Sequence, residues 1–253
     1  MSTDLAKLAL DLLSSGPHKL EPTTRRVRTL FHDEYVVDTT VAYHVWEHPY
    51  YPQYYVPVDA VKQDVLSKGK AVDRDGRAFL ASLKVGKRAT DRVLIFEGGA
   101  LKGLVRFEFG AMDAWFEEDQ EIYVHPKDPY KRIDILPSSR TITVAVGGQT
   151  IAESSASMFL LETTLPTRYY LPKASVNWKL LSPSRSITRC PYKGEAEYYN
   201  VTVNGKEYRD LLWWYRYPTP ESIAIAGRLA PYNEKVDISI DGVLQERPKT
   251  KFA

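Results

Sequence analysis

The stretch Arg140-Thr141-Ile142-Thr143-Val144-Ala145-Val146-Gly147-Gly148-Gln149-Thr150-Ile151-Ala152-Glu153 decides the fold class. Two alternating runs flank a pair of glycines, the signal of a β-hairpin closed by a tight turn. The same hairpin occurs 115 residues earlier, with His32-Asp33 at its turn. Working outward, residues 22–67 and 137–182 align without a gap. Pro22-Thr23-Thr24-Arg25 meets Pro137-Ser138-Ser139-Arg140, Glu47 meets Glu162, and Tyr54-Tyr55-Val56-Pro57 meets Tyr169-Tyr170-Leu171-Pro172. Nine of the 46 columns are identical, and others, such as Val27/Ile142 and Asp38/Glu153, are conservative. A repeat of this length means two copies of a small domain, not a solenoid.

More strands follow from the same signals. Ser157–Glu162 reads as one, and Arg168–Pro172 is extended because proline biases its predecessor away from helix. Tyr198–Val203 runs into Asn204-Gly205, and Val236–Ile240 into Asp241-Gly242, each a strand and a tight turn. The copies align again near their ends at an offset of 124, where Gly103 meets Gly227 and Asp113 meets Asp237. The nine-residue difference is expected in the first copy, around residues 77–99. The expected organisation is an N-terminal helical extension (1–21), a first repeat (22–121), a linker (122–136), a second repeat (137–245) and a tail (246–253). The fold class is mainly β, two tandem domains of short antiparallel strands. Ser2-Thr3-Asp4, then Leu5, Leu8, Leu12 and Leu13, then Gly16-Pro17, predict a short amphipathic helix docked on the body.

Composition narrows the function classes. Net charge is +2, and lysine and arginine are spread along the chain, so the concentrated basic face of a nucleic-acid binder is missing. No apolar stretch approaches the roughly 20 residues of a membrane-spanning helix, so no membrane role is expected. The single cysteine, Cys190, rules out an intrachain disulfide and any multi-cysteine zinc site, and fits a reducing, cytoplasmic compartment.

His44-Val45-Trp46-Glu47-His48 matches an inverted zinc-protease pattern, H-x-x-E-H. That chemistry needs a helix, and the matching segment Phe159–Thr163 alternates like a strand. On a strand the histidines stand about 13 Å apart at the usual rise, too far for one ion. No metal and no cofactor are expected.

The densest chemistry lies in the second copy. Thr188-Arg189-Cys190-Pro191-Tyr192-Lys193-Gly194-Glu195-Ala196 places a thiol, a phenol, an amine and a carboxylate on one shaped loop. A lysine or arginine beside the thiol would make it a nucleophile. At the offset of 115 Asp75 stands in the column of Cys190, and at the offset of 124 Gly110 stands in that of Glu234. Arg168, before the Tyr-Tyr-x-Pro core, has Gln53 as its counterpart, and suits an anion clamp. Trp213-Trp214-Tyr215-Arg216-Tyr217-Pro218 is an aromatic run that could wall a pocket for a planar ligand.

Together, the Tyr-Tyr-x-Pro core, Thr188-x-Cys190-Pro191-Tyr192-Lys193-Gly194-Glu195-Ala196, Tyr217-Pro218, Ile225-Ala226-Gly227 and Tyr232-Asn233-Glu234-x-Val236-Asp237 resemble domain-of-unknown-function family 427. That family also carries a nucleotidyltransferase-like label. The resemblance is strong over 137–242 and decayed over 22–119. It implies two β-tent domains of the Mss4-like kind, in which two antiparallel sheets meet at an angle. The family's signature positions fall on Tyr169, Tyr170, Pro172, Thr188, Cys190, Pro191, Tyr192, Lys193, Gly194, Glu195, Gly227, Tyr232 and Glu234. Tyr215 and Arg216 depart from the family's tryptophan and serine.

The resulting expectation is a small-molecule pocket in the second repeat. Cys190, Lys193 and Glu234 are the candidate catalytic groups. Arg168, Tyr170, Tyr192, Trp214, Tyr215 and Arg216 are the candidate substrate contacts. An isomerisation, cyclisation or elimination of a small organic substrate, without metal, fits that set. The alternative is a non-catalytic ligand-binding or interaction module.

Overall fold

The computed structural model describes residues 3–250. The chain divides into two compact units, 1–128 and 129–253. One helix, α1 (Leu5–Ser15), precedes the first sheet. Asp4 caps it by accepting from the Lys7 N–H at 3.1 Å, and its buried residues are Leu5, Ala9 and Leu12.

The first unit has eleven strands: β1 (Lys19–Thr23), β2 (Val27–Phe31), β3 (Glu34–Thr39), β4 (Ala42–Trp46), β5 (Gln53–Pro57), β6 (Leu66–Ala71), β7 (Ala78–Val85), β8 (Arg88–Phe96), β9 (Leu104–Phe107), β10 (Ala114–Glu117) and β11 (Gln120–Ile122). The second unit repeats them: β12 (Ile133–Ser138), β13 (Ile142–Val146), β14 (Gln149–Ser154), β15 (Ser157–Glu162), β16 (Arg168–Tyr170), β17 (Leu181–Cys190), β18 (Gly194–Val203), β19 (Lys206–Tyr215), β20 (Leu229–Pro231), β21 (Asp237–Ile240) and β22 (Val243–Leu244). The chain is thus mainly β, as two tandem domains of antiparallel strands with one short N-terminal helix. The outer ends of the units differ from the segments read in sequence, since β1 starts at Lys19 and β12 at Ile133.

The two units share one topology. The first has a large sheet in the order β1-β4-β5-β9-β8-β7-β6 and a small one in the order β11-β10-β2-β3. The second has β12-β15-β16 and β17-β18-β19-β20, joined by paired backbone bonds between Leu171 and Leu229, which restores the seven-strand order. Its small sheet, β14-β13-β21-β22, matches as well. At the β2–β3 turn His32 and Asp33 take positive φ (52° and 63°), where the second copy uses Gly147 and Gly148.

The nine-residue difference belongs to the second copy, a correction to the sequence-based expectation. Strand ladders place each residue. One lies in the β17 bulge, where Pro183 to Ile187 spans what Lys68 to Ala71 spans in β6. One lies in β19, where Tyr208 to Leu212 replaces Thr90 to Val93. Two lie in the β17–β18 turn, between the paired Thr188 and Ala196, against Val72 and Ala78 in the first copy. The other five precede Gly227, whose N–H reaches the Tyr215 carbonyl as that of Gly103 reaches Phe96.

Each unit buries one core between its sheets. In the first, Val27, Phe31, Tyr54, Val56, Leu83, Val93, Val105 and Trp115 fill it. In the second, Ile142, Val144, Leu171, Val201, Leu212, Trp214, Leu229 and Ile238 do. Each large sheet also has an outer face with a second cluster. In the first unit α1 covers it: Leu5, Ala9 and Leu12 pack with Val45, Tyr55, Leu94 and Phe96. In the second, the matching positions carry Leu160, Tyr170, Trp213 and Tyr215, packed with Ile225 from the inserted chain.

Candidate functional site

The outer face of the second large sheet gathers most of the candidate residues. β15 ends in Glu162, β16 carries Tyr170, and the β17–β18 turn carries Cys190, Tyr192 and Lys193. The turn is held by the other insertion. The Thr219 hydroxyl (2.5 Å) and the Ser222 hydroxyl (3.1 Å) both donate to the Tyr192 carbonyl, and the Thr219 N–H donates to the Lys193 carbonyl (3.2 Å). Gly194 sits at φ +95°, and a Cβ there would meet the Tyr217 carbonyl at 3.4 Å and the Thr219 nitrogen at 3.6 Å. The conformation requires glycine, while contacts at these distances are ordinary van der Waals ones.

Lys193 Nζ donates to Glu162 Oε2 at 2.5 Å, with side chains only 12% and 8% exposed. Burial works against the lysine charge, but Cys190 and Glu162 more than offset it, and the pKa is held well above the usual lysine range. Lys193 is therefore a fixed cation, not a base. The Cys190 thiol is half-buried and free of any disulfide. Tyr170 is fully buried, its hydroxyl accepts from Trp213 Nε1 at 3.1 Å, and burial pushes its pKa up to about 12. Tyr215 is likewise raised by burial, with Tyr170 and Cys190 among its electrostatic neighbours. Thr188 and Tyr198 share a hydroxyl–hydroxyl bond of 2.6 Å, and Tyr232 packs on Trp213 at 4.6 Å between ring centres.

A second ion pair flanks this group. Arg168 grips Glu234 with two bonds of 2.7 Å each, and the Glu234 side chain is fully buried. Burial opposes the Glu234 charge, yet the bonds from Arg168 and Thr250 lower its pKa to about 2. Arg168 also stands 5.6 Å from the Trp213 ring centre. Both members of this pair are thus committed to each other.

Two candidate contacts lie elsewhere. Trp214 points into the core between the sheets, with Lys173 Nζ 3.6 Å over its ring. Arg216 is exposed and pairs with Glu197 at 2.9 and 3.1 Å. Alternation along β19 sends Trp213 and Tyr215 to the outer face and Trp214 to the other. Sequence reasoning named Trp214 and did not single out Trp213, Glu162, Thr188 or Tyr198 as site residues. Glu162 had a visible signal, its identity with Glu47 in the repeat. The ladders also move Cys190 off the column of Asp75. Thr188 matches Val72, so the thiol stands on inserted chain with no counterpart.

The first copy resolves the same place differently. Arg106, from β9, donates to Glu47 at 2.5 and 3.2 Å, and the Tyr55 hydroxyl donates to Glu47 at 2.9 Å. In the second copy Ala230 occupies the column of Arg106, and Lys193 takes over the carboxylate from the inserted turn. The H-x-x-E-H run is on strand β4 and beyond it, with Glu47 used in this pair. Among the described residues no group of three or more His, Cys, Asp or Glu could hold a metal ion, and no helix is long and apolar enough to cross a membrane.

A family model described as a domain of unknown function (DUF427) matches residues 19–118 and again residues 134–242. The chain belongs to the DUF427 family. It carries two DUF427 copies in tandem, and the match spans both the α1-covered sheet and the sheet that bears the Cys190 turn. No curated protein matches the chain.

Proposed function

We propose that the second DUF427 copy is a small-molecule site and that it acts on its ligand by acid–base chemistry without a metal. The observation that supports this most is the buried Lys193–Glu162 pair beside the half-buried Cys190 thiol, on chain that the first copy lacks. Lys193 supplies a permanent positive charge in a poorly solvated place, where it stabilises a developing oxyanion far better than in water. Tyr170, kept neutral, supplies a hydroxyl hydrogen to the same region. Cys190 supplies the base or nucleophile. This set suits proton abstraction next to a carbonyl, as in an isomerisation, cyclisation or elimination. Arg168 and Glu234 act as a positioning pair behind Trp213.

A specific observation favours a second reading, a ligand-binding module without turnover. Both ion pairs are already satisfied, and three surface grooves found among the described residues are lined by neither Cys190 nor Lys193. One experiment separates the readings. The protein is incubated with the low-molecular-weight fraction of a cell extract and examined by native mass spectrometry, beside Lys193→Met and Cys190→Ser. Turnover predicts a mass bound to Cys190→Ser that differs from the one the wild type holds, and no bound mass in Lys193→Met. Simple binding predicts the same mass in the wild type and in Cys190→Ser. A mass retained equally by Lys193→Met contradicts the placement of the site.

A further inference from the structure

A groove of about 850 Å³ opens on the first unit, away from the outer face that α1 covers. Val61, Leu66 and Ile95 form its apolar floor, and Lys62, Lys68 and Lys102 stand at its rim. That size lies within the range of sites for small organic ligands, about 300–1,000 Å³.

The second copy shows what fits there. By the strand ladders Ile95 matches Trp214, since Ile95 pairs with Val105 and Phe79 while Trp214 pairs with Leu229 and Glu197. Ala81, opposite Val93, matches Tyr199, opposite Leu212. Gln63 stands in the column of Trp178. The floor residues Val61 and Leu66 match Val176 and Leu181, which pack in the same cluster as Trp214. In the second copy the three aromatic rings are linked through Tyr199. Trp178 meets Tyr199 edge-on at 5.4 Å, and Tyr199 lies 6.4 Å from Trp214. Two cations bracket Trp214, Lys173 at 3.6 Å and Arg216 at 5.0 Å. The first copy has the same apolar floor, and its groove is lined by Ile95 and Gln63 where the second copy has Trp214 and Trp178.

We infer that this groove of the first copy binds a small planar aromatic molecule, of about the size of an indole ring, in the place that Trp214 fills in the second copy. The ring lies on Val61, Leu66 and Ile95. Rim lysines face it as Lys173 faces Trp214, a cation over an aromatic face. Lys62 is held by Glu34 and Lys68 by Glu97, while Lys102 has no ion pair among the described residues. This site is separate from the Cys190 site and independent of its reading.

The test uses the full chain, indole as the probe, and methyl NMR. Indole should shift the Val61, Leu66 and Ile95 methyl signals saturably and leave the Val176 and Leu181 methyls unmoved. Ile95→Trp installs the residue of the second copy and should weaken the binding at least tenfold. Gln63→Trp, a change at the rim with little risk to folding, should weaken it as well. No saturable shift of the three floor methyls overturns the inference. So does undiminished binding in either variant that retains its dispersed methyl spectrum.

Discussion

The outer faces of the two large sheets start from the same residues and end in different states. Glu47 and Tyr55 in the first copy correspond to Glu162 and Tyr170 in the second. In the first, Arg106 reaches Glu47 from within the sheet, and α1 covers the face. In the second, Ala230 leaves that carboxylate without its arginine, and inserted chain brings Lys193 to it with Cys190 alongside. Of the nine added residues, the two in the turn and the five before Gly227 form the two segments that bond to each other around Tyr192. A buried carboxylate needs a cation. In the first copy that cation comes from the sheet, and in the second it comes from a loop.

The sharpest way to break this comparison is at Arg106. Arg106 and Glu47 are 4% and 7% exposed, so Arg106→Met strands a buried carboxylate. The expected loss is about 3–5 kcal/mol in denaturant unfolding. A loss below about 1 kcal/mol would mean that the pair does not hold the first copy closed.

Acid separates the two copies by a different group in each. Burial, aided by Arg25, lowers the His44 pKa to about 4. The unfolded chain then binds more protons than the folded one, so the first copy loses stability as pH falls from about 6.5 to about 4. His44→Phe should flatten stability against pH in that window. Glu234, lowered to about 2, contributes stability that is complete above its unfolded value near 4.3 and fades as pH falls towards 2. Arg168→Met should remove that lower window and leave the upper one. Unfolding followed by signals from each copy checks both. The opposite assignment of windows would contradict the account.

A smaller effect is expected at Gly194. Gly194→Ala forces a side chain to φ +95° against the inserted segment and should cost about 1–2 kcal/mol in the second copy alone. Smallest of all is Arg216→Ser. The side chain lies exposed against Glu197, and the change should leave the unfolding midpoint within error. A clear drop would show that the Trp214 side of β19 depends on it.

Much of the fold was legible because turns and alternation are local. The Gly147-Gly148 and Asn204-Gly205 turns and the strands beside them could be read directly, and the repeat carried the reading into the first copy. Residue identity also pointed to the Cys190–Lys193 turn and to Tyr170. The facing of β19 was not legible. Choosing Trp213 over Trp214 requires the strand register, which bulges shift by one residue, and a shift of one reverses every side chain. The partnership of Glu162 with Lys193 joins residues far apart in sequence, and no local pattern marks it.

We propose that the extended turn of the second copy builds a thiol site governed by Lys193. Cys190 is the single cysteine of the chain, so its alkylation by iodoacetamide, followed by intact mass, reports on that place alone. The Lys193 ammonium and the Cys190 sulfur interact electrostatically across the turn. Lys193→Met should slow alkylation at pH 7 about tenfold, which is about 1.4 kcal/mol. Lys193→Arg should stay near the wild-type rate. If Lys193→Met, shown to be folded, reacts as fast as the wild type across pH 6–9, the cluster is structural and the account is wrong.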